Sequence, residues 1–475
     1  MCCGAWRIAL SDLGFMNLHI TSEPHVQQRR NTLVRLFVVV FVFAIAAMGV
    51  SRELLIPRMA SSSISGHMAG DPQYYHSLAL KKANEIRQSG VGEFELRPEG
   101  QGPAGIASLL YLAGESSYGV VVLNAAFHAL AVVVMALILM RWFPCRISII
   151  ATLPLAISPG MIVWFSQINK DSFAVSGALL FTWGLLKLAS PGSKQTLRDG
   201  LIALLVALAG MMLTWVVRPY VNQILLPITA LVLVIALLIR VRREFVKTEL
   251  IIFAIYGSLV LACLGLLGKG AASDATLESF KDFQSPTQSE SVSAKCLSTI
   301  DERHWRNEQF LPDLVDEKLK AMMGQRCLMF TLLETQDNVT TRKSIVDTDT
   351  FPRGSAEALG YVPRAALLGV FSPWPDRWGY IFNHGPSVFY TITPIEAGML
   401  YVGLVSLFVW LVRSKAWDAL VPIGLCVPVM TTYGMATPFL GALYRYRYPW
   451  WMLLICLGVA ATLVALGRNP IEKRS

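Results

Sequence analysis

The sequence predicts an all-α polytopic membrane protein of about ten transmembrane helices, on three observations. The chain is 54% hydrophobic and only 15% charged, whereas an average soluble domain carries roughly a quarter charged residues to coat its surface. Its apolar residues fall in long blocks, several reaching the roughly 20 residues that a helix needs to cross the hydrocarbon core. Basic residues gather in short clusters at the ends of those blocks, which is how a membrane protein marks its cytoplasmic side. The net charge of +9 therefore points to topology and not to a nucleic-acid partner.

The first block, Leu33 to Val50, follows Arg29-Arg30 and is succeeded by Arg52-Glu53 instead of a small-residue cleavage site, so it reads as an uncleaved anchor. Further blocks run Tyr118 to Met140, Ile147 to Ser166, Ser172 to Leu188, Leu201 to Val217, Val221 to Ile239 and Ile251 to Leu267. The last three are Ile395 to Val412, Leu420 to Met435 and Trp450 to Leu466. With the N-terminus inside, the short inner connections hold Arg141/Arg146, Lys187/Lys194/Arg198, Arg240/Arg242/Arg243/Lys247 and Arg413/Lys415. The short outer ones hold only Lys170, Arg218 and Arg445/Arg447. This asymmetry has one sign along the chain and predicts a cytoplasmic-membrane protein with both termini in the cytoplasm.

The organisation that follows is a cytoplasmic N-terminus over 1–32 and a transmembrane core over 33–267 with an outer loop over 51–117. An extracytoplasmic loop with an interfacial or re-entrant segment covers 268–394, and C-terminal helices with a cytoplasmic tail cover 395–475. Cys296 and Cys327 are the two cysteines in an outer segment, so a disulfide between them is chemically permitted. Asn338-Val339-Thr340 matches the N-glycosylation pattern, a short match that arises often by chance.

In the first outer loop, Asp71-Pro72 is a helix-start signal. Tyr75, Leu78, Ala79 and Ile86 then recur at helical spacing, giving an amphipathic helix suited to a membrane surface. His67 and His76 flank Asp71 but make a weak metal pair, having no cysteine partner. Asn124 and His128, four apart within a span, suit helix–helix hydrogen bonds. Ionisable residues beside spans are costly and often functional. On the outer rim these are Lys170 and Asp171, Arg218 with Pro219-Tyr220, Glu396, and Arg445 with Arg447. Each alone is an interfacial anchor. Together they offer cations for phosphate oxygens and carboxylates that can deprotonate a hydroxyl.

These motifs resemble the GT-C superfamily of membrane glycosyltransferases. Gly70-Asp71-Pro72-Gln73-Tyr74-Tyr75-His76-Ser77-Leu78-Ala79 after the first span, then Gly102-Pro103 before the second, is similar to bacterial relatives of lipid A aminoarabinose transferases and protein O-mannosyltransferases. So are the stretch ending in Lys170-Asp171, the Arg218-Pro219 pair, Phe371-Ser372-Pro373-Trp374-Pro375 followed by Glu396, and Tyr444-Arg445-Tyr446-Arg447-Tyr448-Pro449. The resemblance implies a polyprenyl-phosphate or -pyrophosphate sugar donor, with membrane lipid around it and other polysaccharide-assembly proteins as partners. It implies Asp71 as general base, Asp171 as a second acid, and Lys170, Arg218, Tyr220, Glu396, Arg445 and Arg447 as substrate contacts. Many members carry an acidic pair where this chain has Asp71-Pro72, so one carboxylate instead of two stands there for a divalent metal. The rival readings are a secondary transporter and a non-catalytic protein of polysaccharide assembly or export.

Overall fold

The computed structural model describes residues 24–59, 67–68, 70–114, 116–189, 196–242, 247–268, 296, 298, 305–306, 311–334, 345–375, 378 and 388–467. The Asn338-Val339-Thr340 match lies outside them, and so does His304, a large-loop histidine expected to pack or hydrogen-bond there. Among the described residues the secondary structure is helical, with two isolated β-bridges and no named strand. This is what a hydrocarbon solvent demands, since a helix satisfies its backbone hydrogen bonds within itself.

The first span, α1 (Pro24–Val50), runs on through a π-helical turn at Ser51–Leu55 into Ile56–Met59. Two helices follow before the second span, α2 (Asp71–Ser89) and α3 (Gly102–Tyr111). Next come α4 (Tyr118–Leu139) and a broken crossing made of α5 (Cys145–Ile150), α6 (Leu153–Ile157) and α7 (Pro159–Phe165). Four long helices succeed them: α8 (Asp171–Ala189), α9 (Leu197–Val217), α10 (Tyr220–Arg242) and α11 (Lys247–Gly268). The chain ends with α12 (Asp313–Glu334), α13 (Ser355–Phe371), α14 (Val388–Ser414), α15 (Leu420–Ala436) and α16 (Leu440–Leu466). Among the described residues nine helices are long and apolar enough to cross a membrane, or ten when the broken crossing, bent by 57°, counts as one. The chain is a polytopic membrane protein. The apolar block from Ile147 to Ser166 is thus not one straight rod: Ser158 leaves the helical conformation and Pro159 starts a new helix.

The chain divides into two compact units, each described by itself. The first holds Met1–Ala271, Ile381–Ile423 and Met452–Ser475. Its centre is α8, nearly all of whose residues are buried. α1 packs on α4, α4 on α8, α8 on α9, and α9 and α10 on α11. Small residues let α8 and α9 approach. A Cβ added to Gly210 would lie 2.5 Å from the Gly177 carbonyl oxygen, and one added to Gly184 would lie 2.7 Å from that of Ala203. Between helices in lipid, such close backbone packing replaces the hydrophobic drive that water would supply. α9 starts at a capping box in which Thr196 and Asp199 satisfy each other's backbone N–H groups. The outward side of α1 exposes Val34, Val38, Val39 and Val42, as lipid contact requires.

Side chains tie both ends of α4 to other connections. Past the C-terminus of α4, Arg141 and Trp142 donate to the Asp418 carboxylate at 3.2 and 3.0 Å. At the N-terminus of α4, the Tyr118 hydroxyl donates to Glu53 at 2.5 Å. α4 has 22 residues, about 33 Å of rise, enough to separate the two ends by a bilayer core.

The second unit holds Ala272–Tyr380 and Gly424–Trp451. The semi-apolar stretch from Val362 to Pro375, expected to be an interfacial or re-entrant segment, begins within α13, a 17-residue helix outside the nine. Arg326, 1% exposed, lies over the rings of Phe330 and Tyr361 and donates to the carbonyls of Val346 and Asp347. Cys296 and Cys327 form a disulfide that packs with Phe330. Closing a loop over 31 positions of sequence separation is worth about 3.5 kcal/mol through the unfolded chain.

Gly210→Val should lower the melting temperature of the purified protein, by an amount corresponding to about 1–3 kcal/mol of overpacking. Gly265→Val, where nothing lies within 4 Å of an added Cβ, should leave it unchanged. In the unfolded, unreduced protein, two of the eight cysteines should take up maleimide only after reduction, and Cys296→Ser should abolish that difference.

Candidate functional site

The rim residues in the first unit are held by the first turn of α8 and by the break between α9 and α10. The loop before α8 is fixed from α4. Asn124 Nδ2 donates to the carbonyls of Phe165 and Gln167 at 2.8 and 2.9 Å, and the Ser172 hydroxyl donates to Asn124 Oδ1 at 2.7 Å. His128 bonds the Ala156 carbonyl at 3.0 Å across the same interface. These are the interhelical bonds expected of the pair, and Asn124 does more than join helices: it sets where α8 begins.

Asp171 opens α8 and is 1% exposed; Arg218 ends α9 and is 3% exposed. Arg218 Nη2 donates to Asp171 Oδ1 in a buried ion pair. Pro219 prevents α9 from continuing with regular hydrogen bonds, and α10 restarts at Tyr220, which is half-buried. The Thr214 hydroxyl donates to Asn222 Oδ1 at 3.0 Å across the break. Lys170, next to Asp171, places its ammonium 5.3 Å from the centre of the Tyr75 ring.

Tyr75 belongs to α2, whose first residue is Asp71. Asp71 does not cap the helix by its side chain. Gly70 takes the cap position at φ 95°, a conformation that glycine adopts without strain, and makes no side-chain cap hydrogen bond. Asp71 itself is exposed. The buried face of α2 contains Pro72, Tyr75, Leu78, Ala79, Ala83 and Ile86, which includes every position that the spacing singled out. That face is covered by Ala104, Ala107 and Tyr111 of α3, by Val120 and by Ile168. Protein therefore covers the side offered to a lipid surface, because α3 supplies small residues against which α2 packs. α3 in turn lies tightly on α9: a Cβ on Gly102 would meet the Val216 carbonyl oxygen at 2.1 Å, and Arg97 stacks 5.2 Å from the Trp215 ring.

The structure thus joins Asp171 to Arg218 directly and brings Lys170 against the helix that Asp71 begins. Glu396 engages elsewhere in this unit. It is 3% exposed and accepts the Ser158 hydroxyl at 2.8 Å, at the break in the bent crossing. Arg445 and Arg447 belong to the second unit. Arg445 is half-buried. Arg447 is 1% exposed and donates to the Leu368 and Gly369 carbonyls at 3.1 and 2.7 Å and to the Ser372 hydroxyl at 3.1 Å. It also donates to the Ser372 carbonyl and stacks over Trp451. Its two terminal guanidinium nitrogens thereby close the C-terminus of α13.

A second cluster surrounds His67, which in the sequence is only half of a weak metal pair flanking Asp71. His67 is fully buried and its ring lies 4.8 Å from that of His76. A His76 Nδ1–Tyr111 hydroxyl hydrogen bond of 2.6 Å joins α2 to α3. Burial, then the neighbouring His76 and Arg52, hold the His67 imidazole down at about 3. Burial and Arg52 also lower His76, and burial raises the Tyr111 phenol to about 12. Arg52 was legible only as the residue that ends the first span. Among the described residues no group of three or more His, Cys, Asp or Glu side chains could hold a metal.

No protein-family model matches the chain, and no curated protein matches it.

Arg218→Ala or Asp171→Ala should each destabilise the protein by about 3–5 kcal/mol, because each leaves a buried charge uncompensated. The apolar double variant Asp171→Leu/Arg218→Met should recover most of that loss in a detergent melting assay. His67 binds its proton less readily when folded than when unfolded. Its contribution is therefore intact above about pH 6.5 and lost as pH falls toward 3. Stability should drop by about 1.4 kcal/mol per pH unit in that window. His67→Phe should flatten the slope of melting temperature against pH.

Proposed function

We propose that this protein is a GT-C-type membrane glycosyltransferase. It moves a sugar or oligosaccharide from a polyprenyl-phosphate or -pyrophosphate donor to an acceptor hydroxyl on the outer face of the cytoplasmic membrane. The product belongs to cell-surface polysaccharide or glycolipid synthesis. The observation that carries this reading is the exposed Asp71 carboxylate on a helix docked against Lys170, with the Asp171–Arg218 pair following Lys170 in the same corner. The one-signed charge pattern of the connections supports the outer placement.

In this mechanism Asp71 takes the proton of the acceptor hydroxyl as its oxygen attacks the anomeric carbon. The bond from that carbon to the donor phosphate oxygen breaks, and the polyprenyl phosphate or pyrophosphate leaves with the added negative charge. Lys170 stabilises that charge, as a cation fixed where charge develops lowers the barrier. Arg218 has its charge balanced by Asp171, so the pair orients the start of α8 and with it Lys170.

Asp71→Asn should reduce transfer from a polyprenyl-linked donor by reconstituted protein about 10²–10⁴-fold, with folding unchanged because Asp71 is exposed. Full activity in that variant would remove the base from the scheme. Lys170→Ala should lower kcat more than donor affinity.

A second reading has one observation in its favour. A crossing broken at Ser158, with the Glu396 carboxylate at the break, is also a feature of secondary transporters. Solute uptake into sealed vesicles that is lost in Glu396→Gln, with no change in the lipid-linked sugar pool, would favour transport over transfer.

A further inference from the structure

At the end of α1, the π-helical turn carries Arg52, which is 7% exposed. Its guanidinium lies 4.9 Å from the centre of the Tyr118 ring and its Nε 3.6 Å from the Glu53 carboxylate. That carboxylate is 57% exposed at its side chain and also accepts the Tyr118 hydroxyl. Inward of it, the electrostatic neighbours of Arg52 are His67, His76 and Tyr111. Neither ring nitrogen of His67 has a hydrogen-bond partner among the described residues, although the residue is fully buried. The Ser117 hydroxyl is buried beside Tyr111 and interacts with its phenol.

Leaving buried polar atoms unmatched is costly, and native proteins keep such atoms for a reason. The groups gathered here are a guanidinium, two imidazoles, a phenol and a hydroxyl, and each can donate a hydrogen bond. A metal ion does not suit them. The imidazoles are neutral enough to ligate one, but among the described residues no third metal-ligating side chain joins them, and Arg52 would repel a second cation. A tetrahedral oxyanion suits them well, since it offers several acceptors and its charge answers the guanidinium.

We propose that Arg52, His67, His76, Tyr111 and Ser117 form a phosphate-binding site, distinct from the Asp171–Arg218 pair. The site straddles the N-terminal half of α2, four residues before and five after Asp71. Where the glycosyltransferase reading holds, the anion that this site takes is the phosphate of the lipid-linked donor. The phosphate chemistry itself does not depend on that reading.

The test uses the full chain in lipid nanodiscs with isotope-labelled histidine, which gives seven imidazoles to resolve; His67→Gln and His76→Gln assign two of them. Inorganic phosphate, pyrophosphate, a polyprenyl phosphate and zinc chloride are titrated separately at neutral pH. The expected result is that the His67 and His76 signals shift toward imidazolium with a phosphate compound. Arg52→Gln should weaken that response by roughly tenfold or more, the worth of a charge-assisted hydrogen bond, and Arg52→Lys should partly restore it. A polyprenyl phosphate that acts at far lower concentration than inorganic phosphate identifies a lipid headgroup; equal potency identifies the free ion. A shift with zinc alone, no shift with any phosphate, or unchanged binding in Arg52→Gln overturns the proposal. Should Arg52→Gln melt early, the double variant His67→Gln/His76→Gln, read by the polyprenyl phosphate dissociation constant, decides in its place. Binding without sugar transfer would count against the glycosyltransferase reading and leave the site standing.

Discussion

A carboxylate and a guanidinium removed from water together set the geometry of the first unit's rim. The Asp171–Arg218 pair has lost nearly all hydration, a penalty that its mutual attraction offsets only if the partners are held in register. The register comes from elsewhere. Asn124 fixes the start of α8 through the Phe165 and Gln167 carbonyls, and Pro219 with the Thr214–Asn222 bond fixes the end of α9. The glycines facing each other across α8 and α9 then bring the two backbones close along their length. Lys170 and its contact with Tyr75 inherit their positions from this arrangement, and so does the docking of α2.

The helices were legible because their signal is one-dimensional. A run of twenty apolar residues must hide its backbone, and a helix does so without a partner. The face of α2 was legible for the same reason: Tyr75, Leu78, Ala79 and Ile86 declare one side by spacing alone. What covers that face was not legible, since Ala104, Ala107 and Ile168 become its neighbours only once three separate segments have packed. Nor did hydropathy disclose the 57° bend between Ile157 and Pro159, because an apolar block reads the same straight or broken.

The candidate site was legible as a set of residue types and not as a set of partners. Asp171 and Arg218 stand 47 positions apart, and nothing local says that they neutralise each other. Arg447 looks in the sequence like any rim cation, yet four of its hydrogen bonds go to α13 and to Ser372 just beyond it. His67 carried too weak a signal to be weighed beside Asp71, since burial of both its ring nitrogens is a property of the packed state.

The π-helical turn at Ser51–Leu55 has a consequence for helical phase. The buried side of the first span advances by fours, through Val40, Ala44, Met48, Arg52 and Ile56. In a regular α-helix each step of four overshoots a full turn by about 40°. Over those four steps the stripe would drift about 160° and carry its last members to the lipid side. A wider turn takes more residues per revolution and winds part of that drift back. The span can therefore keep its inward seam through the residue that follows the wide turn, Ile56.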